Sequence, residues 1–211
     1  IYGDPSAPQI WNELDDTLRQ TYAHPSGVDL PIRATCIDSG GHFTQAVYNF
    51  VRAREGKRVF AIKGVGGEGR AIIGRPSKNN IGKIMLFPVG VDTAKELIYS
   101  RLKITEPGPG FCHFPEDRED EYFRQLTAEK IITKYVQGRT KRAWVKTRTR
   151  NEALDVRVYA LAALALMNTN INRLAQRFEN KPITETKTET EAPRAASKVR
   201  RSQSGFVNGW R

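Results

Sequence analysis

The chain has 211 residues, 39% of them hydrophobic and 27% charged, which suffices for one domain with its own core. Its formal net charge of +11 favours a polyanion such as nucleic acid as partner over a membrane surface. Two cysteines, Cys36 and Cys112, exclude a disulfide framework and a cysteine-based zinc site, and no apolar run could cross a bilayer. We therefore expect a cytoplasmic protein. Because the chain begins at Ile1 rather than Met, we also expect a piece of a longer protein.

Hydrophobic periodicity and turn residues predict an alternation of helices and strands. In chain order the predicted elements are a helix (11–22), a strand (32–37), a helix capped by Thr44, a strand (58–62), a mobile glycine-rich loop (64–82), a strand (84–91), a helix from Asp92 or Thr93 to Leu102, a helix (116–136), a basic stretch (133–151) and a helix apolar almost all round (153–167). This order predicts an α/β fold with a mainly parallel sheet and helices on both faces. After Phe178 the composition predicts a disordered tail.

Two distant parts of the sequence place carboxylates at the ends of apolar elements. Asp38 ends the first predicted strand, and Glu152 and Asp155 lie three residues apart at the start of the apolar helix. Carboxylate oxygens are the ligands that Mg²⁺ and Mn²⁺ prefer, and one or two such ions can support phosphodiester hydrolysis. Simpler roles stay open: Asp38 could close an Asx turn, and acids in a first helical turn complement the helix dipole.

Lys63 and Asp92 are further candidates at the predicted strand ends. Lys63 could offset charge on a phosphate, or could be a strand-end lysine whose ammonium reaches solvent. Asp92 could be another metal ligand, or the N-cap of the following helix. The loop after Lys63 lacks the Gly-Lys-Ser/Thr ending of a Walker A motif, so we expect no nucleotide site.

Exposed cations are the candidates for contacts with DNA phosphates. They come from the glycine-rich loop and from a stretch that contains no acid, and a solvated basic face is the simpler alternative. The predicted DNA-binding residues are Arg70, Arg75, Lys141, Arg142, Lys146, Arg148 and Arg150.

Five motifs in order give the chain a family resemblance over about residues 1–178. They are IDSGGH (37–42), FAIKG (60–64), VGVDTAK (89–95), PGPGFCHFP (107–115) and RNEALDVRVYALAAL (150–164). Together they resemble the C-terminal nuclease domain of the lambda-like terminase large subunit of tailed bacteriophages.

This resemblance implies a ribonuclease-H-like fold and a Mg²⁺- or Mn²⁺-dependent endonuclease that cuts concatemeric viral double-stranded DNA in the host cytoplasm. It assigns metal binding to Asp38 and to Asp155 with Glu152, with Lys63 where many terminases carry an acid and Asp92 as a possible further ligand. The implied partners are DNA, the terminase small subunit, the ATPase domain of the same chain and the portal or procapsid. Residues 1–30 would then be a linker from that ATPase domain, residues 31–178 the nuclease domain and residues 179–211 a flexible tail.

Two other functions are compatible with the same residues. One is a non-catalytic DNA-binding or portal-docking module whose acids only cap helices. The other is a ribonuclease-H-like resolvase or ribonuclease, which shares the chemistry and differs in substrate.

Overall fold

The computed structural model describes residue 1, residues 3–79 and residues 83–179, except the side chains of residues 177–179. In chain order its elements are α1 (Pro8–Leu18), β1 (Thr21–Ala23), β2 (Asp29–Pro31), β3 (Thr35–Asp38), α2 (Thr44–Arg52), a 3-10 turn (Glu55–Lys57), β4 (Val59–Val65), β5 (Ser77–Lys78), β6 (Met85–Gly90), α3 (Val91–Arg101), α4 (Asp120–Leu126), β7 (Glu129–Val136), β8 (Arg139–Lys146), α5 (Glu152–Met167) and α6 (Ile171–Glu179). The predicted tail from residue 180 onward lies outside the described residues.

A four-stranded sheet in the order β3-β4-β6-β5 forms the centre of the fold. β3, β4 and β6 run parallel, and the short β5 pairs antiparallel at the edge. The register places Asp38, the last residue of β3, beside Ile62 of β4. The carboxyl ends of the three parallel strands therefore lie at one edge of the sheet, as the strand-helix alternation predicts.

Alternating side chains make both faces of this sheet apolar, so each face is covered by helices. On one face Ala61 and Ile84 pack with α2, and α1 adds Trp11, whose ring lies 4.9 Å from that of Phe50. On the other face Ile62 and neighbouring apolar residues pack with α3, α4 and α5. The predicted α/β class with helices on both faces is confirmed. α1 lies within the segment predicted to be a linker, and it packs on this core.

Residues 116–136 were predicted to form one helix, and this prediction is wrong. The helix α4 ends at Leu126, and β7 pairs with β8 as an antiparallel hairpin. The hairpin turns at Gln137 and Gly138, which both have positive φ, 51° and 74°. Two successive residues with positive φ give a turn whose twist matches that of the flanking strands. The β-branched run in β7 then favours a strand over a helix.

The structure also corrects the predicted ends of two helices, the mobility of the glycine-rich loop and the burial of α5. α1 ends at Leu18, before the β1-β2 hairpin, and Thr44 is the first helical residue of α2 rather than its N-cap. The glycine-rich loop is tied to β6, because Gly74 N–H donates a hydrogen bond to Pro88 O at 2.8 Å. α5 is not buried all round, since Val156 is 65% exposed. None of the helices in the described parts of the chain is long and apolar enough to cross a membrane.

Candidate active site

Asp38 lies exposed at the carboxyl end of β3, and both of its oxygens accept hydrogen bonds. Gly40 N–H donates to Oδ1 at 2.9 Å, which is the Asx turn that the sequence left open. The Tyr159 hydroxyl donates to Oδ2 at 3.0 Å from the distant helix α5. Asp38 therefore closes its own turn and also joins the sheet edge to α5.

Tyr159 relates Asp38 to Asp155, the second predicted acid. It lies one helical turn after Asp155, so both side chains project from the same side of α5. Burial raises the pKa of the Tyr159 hydroxyl, and the negative charges of Asp38 and Asp155 raise this pKa further. The structure thus brings Asp38 and Asp155 to the surroundings of one phenol. Sequence reasoning missed Tyr159, although its spacing of four from Asp155 was a usable signal.

A buried chain of hydrogen-bonded polar side chains holds the carboxylate of Asp155. Asn151 Nδ2 donates to Asp155 Oδ2 at 3.1 Å and to Glu129 Oε1 at 2.7 Å. Lys95 Nζ in turn donates to Glu129 Oε2 at 2.8 Å. Lys95, Glu129 and Asn151 are only 8%, 5% and 5% exposed. We call these three residues the buried polar chain; it joins α3, β7 and the start of α5.

The charges around Asp155 act in opposite directions. Burial raises the pKa of its carboxyl group, Lys95 and Lys146 lower this pKa, and Glu129 raises it. Lys146 Nζ also donates to Asn151 Oδ1 at 2.7 Å, so the amide of Asn151 is held at both ends. Asp155 is therefore a partly buried carboxylate whose orientation is fixed by Asn151 and whose nearby cations are Lys95 and Lys146.

Sequence reasoning missed all three members of the buried polar chain. Lys95 and Asn151 lie inside two of the quoted motifs, VGVDTAK and RNEALD, which was a signal that they matter. Glu129 gave no such signal, because residues 116–136 were predicted to be helical. Only the strand assignment places its side chain against α3.

Two predicted residues lie away from the Asp38–Tyr159 contact. Glu152 is exposed in the first turn of α5, where its own backbone N–H lowers the pKa of its carboxyl group and Arg150 pairs with it at 3.4 Å. Lys63 is inside β4 rather than at its end, which corrects the predicted strand boundary. The alternation along β4 places Lys63 on the face covered by α2, whereas Asp38 shares a face with Cys36 on the α5 side.

Asp92 anchors the glycine-rich loop. It is the second residue of α3 and not its N-cap, which is Gly90. Its Oδ2 accepts a hydrogen bond from Gly67 N–H at 2.7 Å. A Cβ at position 90 would collide with the Ala71 carbonyl, so glycine is needed where the loop crosses the start of α3.

A cleft of about 510 Å³ lies between this loop and the hairpin, lined among others by Gly66, Gly67, Asp92, Lys95, Glu129 and Lys146. It is open and polar, and it reaches the buried polar chain. In the part of the chain that the structure describes, no three His, Cys, Asp or Glu side chains are grouped closely enough to hold a metal ion. The acids that act on Tyr159 are Asp38, through a hydrogen bond, and Asp155, through its charge, and carboxylate oxygens are donors of the type that Mg²⁺ and Mn²⁺ prefer.

Comparison with known proteins decides the family. The family model for the endonuclease domain of the terminase large subunit gpA matches residues 1–177. The chain belongs to this family. The resemblance inferred from the five motifs is therefore confirmed, and all five motifs lie within the matched residues.

Two relatives of this terminase endonuclease domain are full terminase large subunits. The chain is 38% identical over 173 residues to the large subunit of Escherichia phage lambda, covering 79% of this chain and 27% of the relative. It is 33% identical over 172 residues to that of Enterobacteria phage P21, covering 78% and 27%. The match thus spans about a quarter of each relative's length. No solved structure matches the chain significantly, so the ribonuclease-H-like assignment stays a prediction.

The predicted DNA-binding cations of this terminase endonuclease domain fall into two groups. Some are held by other protein groups: Arg142 pairs with Glu96 at 3.1 Å and with Glu68 at 3.4 Å, and Arg70 Nε donates to Gly66 O at 2.8 Å. Lys146 and Arg150 are held too, by the Asn151 amide and by Glu152. The others are exposed and have no acidic partner among the described residues; they are Arg75, Lys141 and Arg148.

Proposed function

We propose that this domain is a Mg²⁺- or Mn²⁺-dependent endonuclease that cuts concatemeric viral double-stranded DNA in the host cytoplasm during genome packaging. The observation that supports the proposal is the hydrogen bond from Tyr159 to Asp38, which joins the sheet edge to α5 one turn after Asp155, in a chain of the terminase endonuclease family. Two carboxylates from distant parts of the sequence converge at a sheet edge, where α/β proteins bind their ligands.

Asp38 and Asp155 are the residues that would hold the ion. When bound, a divalent ion neutralises charge on the phosphate and makes water a better nucleophile at neutral pH. The number of ions stays as the sequence predicts, one or two. Glu152 and Asp92, the other predicted ligands, have partners elsewhere in Arg150 and in the Gly67 backbone.

The protein's own contribution is orientation and charge. Tyr159 fixes one oxygen of Asp38, Asn151 fixes one oxygen of Asp155, and the Lys95–Glu129 pair holds Asn151. A carboxylate held in one rotamer loses little freedom when it binds an ion. Lys146, beside Asn151, is a cation that could balance charge on the phosphate. Lys63 stays a predicted electrostatic aid, at the same end of the sheet but on the opposite face.

The DNA would approach across the exposed cations and the cleft of about 510 Å³. The predicted small subunit, ATPase domain and portal or procapsid partners belong to the full-length protein and are proposed here on family membership alone.

The test replaces Asp38 by Ala in the full chain and measures nicking of supercoiled plasmid in Mn²⁺. We expect nicking to be lost, while DNA retention and the unfolding temperature stay near those of the parent. Asp29→Ala is a matched control, because Asp29 is an exposed strand aspartate of the β1-β2 hairpin. Parental nicking by Asp38→Ala would show that the site is wrongly placed.

The second candidate is a non-catalytic DNA-binding or docking module. It is favoured by the Asx turn of Asp38 and by the absence of a three-acid group from the described residues. Mn²⁺ titration separates the two functions. A nuclease site binds Mn²⁺ and loses affinity in Asp155→Ala, whereas a docking module binds Mn²⁺ equally weakly in both chains.

A further inference from the structure

The two faces of the β7-β8 hairpin differ in what they contact. On the inner face, Trp144 packs edge-on against Tyr99 of α3 at 5.0 Å, and Arg142 pairs with Glu96 of α3. These contacts hold the base of the hairpin on the body of the domain. The opposite face, which we call the outer face, carries Lys130, Lys134, Arg139 and Lys141, as the pairing register requires.

The outer face concentrates positive charge without compensation. Lys134 lies directly opposite Lys141, and Arg139 is the next position along β8 on the same face. Like charges directly opposite each other destabilise an antiparallel pair. Among the described residues, none of these cations forms an ion pair with an acidic side chain. Such a ribbon is disfavoured alone and stabilised by a polyanion that neutralises both strands.

The distal half of the hairpin projects from the domain. All ten residues from 133 to 142 are exposed, and Tyr135 near the tip is 81% exposed. The four strand residues from Thr133 to Val136 extend about 13 Å, more than the depth of about 8.5 Å of the B-DNA major groove. Two strands about 4.8 Å apart, with their side chains, fit a major groove about 12 Å wide but not a minor groove about 6 Å wide.

We propose that the β7-β8 hairpin enters the major groove of double-stranded DNA, with Lys134, Arg139 and Lys141 contacting phosphates and Tyr135 contacting the base edges. The inference rests on the proposed function only in taking duplex DNA as the substrate. It goes beyond the predicted phosphate contacts, because it assigns a groove, phosphate contacts to outer-face cations and base contacts to Tyr135, which the register places on the inner face near the tip. Arg142 is excluded from these contacts, since its guanidinium is paired with Glu96 and Glu68.

The test measures binding of the full chain to a 40-base-pair duplex in EDTA, so that no cleavage can occur. In the triple variant Lys134→Gln/Arg139→Gln/Lys141→Gln, the slope of log K against log salt should fall by about 2.7, with affinity on the order of 100-fold weaker at 0.1 M salt. A matched control removes three exposed cations outside the hairpin, in Lys57→Gln/Lys103→Gln/Arg124→Gln. This control should change the affinity far less.

The groove is tested with duplexes whose cytosines carry a bulky glucosylated hydroxymethyl group in the major groove. This modification should weaken binding of the parent, and Tyr135→Ala should weaken binding to the unmodified duplex but not to the modified one. Equal binding by the hairpin and control triple variants would overturn the proposal and favour a protein partner. Competition by a minor-groove ligand, with no effect of the modification, would also overturn it.

These outcomes are independent of the nuclease assignment. The binding assay in EDTA requires neither metal nor cleavage, so a failure of the nicking assay leaves the expected results of the hairpin variants unchanged. If the triple variant is less stable than the parent, the single change Tyr135→Ala at the exposed tip still decides the question.

Discussion

Removal of Lys95 should destabilise the domain more than most single changes. Lys95 and Glu129 form an ion pair at 2.8 Å, and the two side chains are only 10% and 5% exposed. Lys95→Met keeps the length of the side chain but leaves the Glu129 carboxylate buried without its cation. Breaking a buried pair by removing one partner costs about 3–5 kcal/mol of unfolding free energy.

The cost can be read as a shift in unfolding temperature. For a domain of 150–250 residues, each kcal/mol lowers the midpoint by about 2–4 °C, so Lys95→Met should lower it by roughly 6–20 °C. The double variant Lys95→Met/Glu129→Leu removes both charges and should recover much of this loss, because a buried pair replaced by apolar residues is often nearly neutral.

Thermal unfolding followed by circular dichroism at pH 7 in EDTA measures both variants. Arg19→Met is the control. The Arg19 side chain is 67% exposed and pairs with Asp16 and with Asp15, which keeps Arg54 as a second partner, so this change should cost little. If the double variant melted no higher than the single one, or if Lys95→Met melted like Arg19→Met, the pair would not be coupled as described.

Two further variants test the acids themselves. Burial raises the pKa of the Asp155 carboxyl group above its ordinary value of 3.8, so the folded state keeps a proton that the unfolded state releases. The free energy of unfolding therefore falls as the pH rises from 3.8 through the raised pKa of the folded state. Asp155→Asn should therefore raise the unfolding temperature at pH 7 in EDTA but not at pH 3; a lower value at pH 7 would instead indicate a stabilising helix-dipole role. Tyr159→Phe removes the hydroxyl that donates a hydrogen bond to Asp38. Because a hydrogen bond to a charged group contributes about 1.5 kcal/mol, Mn²⁺ binding measured by titration should weaken about tenfold. Tyr122→Phe is its control, and equal Mn²⁺ affinity in the two variants would separate Tyr159 from the site.

The central layers of the fold could be predicted because their signals are local. β-branched runs ended by glycine gave β3 with Asp38 at its end, and periodic apolar residues gave α2, α3 and α5. The depth of burial could not be predicted in the same way. The apolar residues of α5 surround the helix, and only the packing of the sheet decides that Leu154 is buried while Val156 is exposed.

The hairpin was missed because two local signals conflicted. The acidic first turn near residue 120 favours a helix, whereas residues 129–136 are rich in β-branched side chains and end at the Gln137–Gly138 turn, which favours a hairpin. The consequence was functional as well as structural. With residues 129–136 in a helix, neither the inward position of Glu129 nor the outer row of cations follows from the sequence.

The buried polar chain explains why two motifs that look unrelated in the sequence act together. Lys95 comes from VGVDTAK and Asn151 from RNEALD, and Glu129 joins them through one hydrogen bond to each. Acids that only complement a helix dipole need no such support, and the exposed Glu152 in the same first turn has none beyond Arg150. The buried pair of Lys95 and Glu129 therefore has a role beyond the helix dipole: it fixes Asn151 and through it the orientation of Asp155, which the proposed ion-binding role of Asp155 requires.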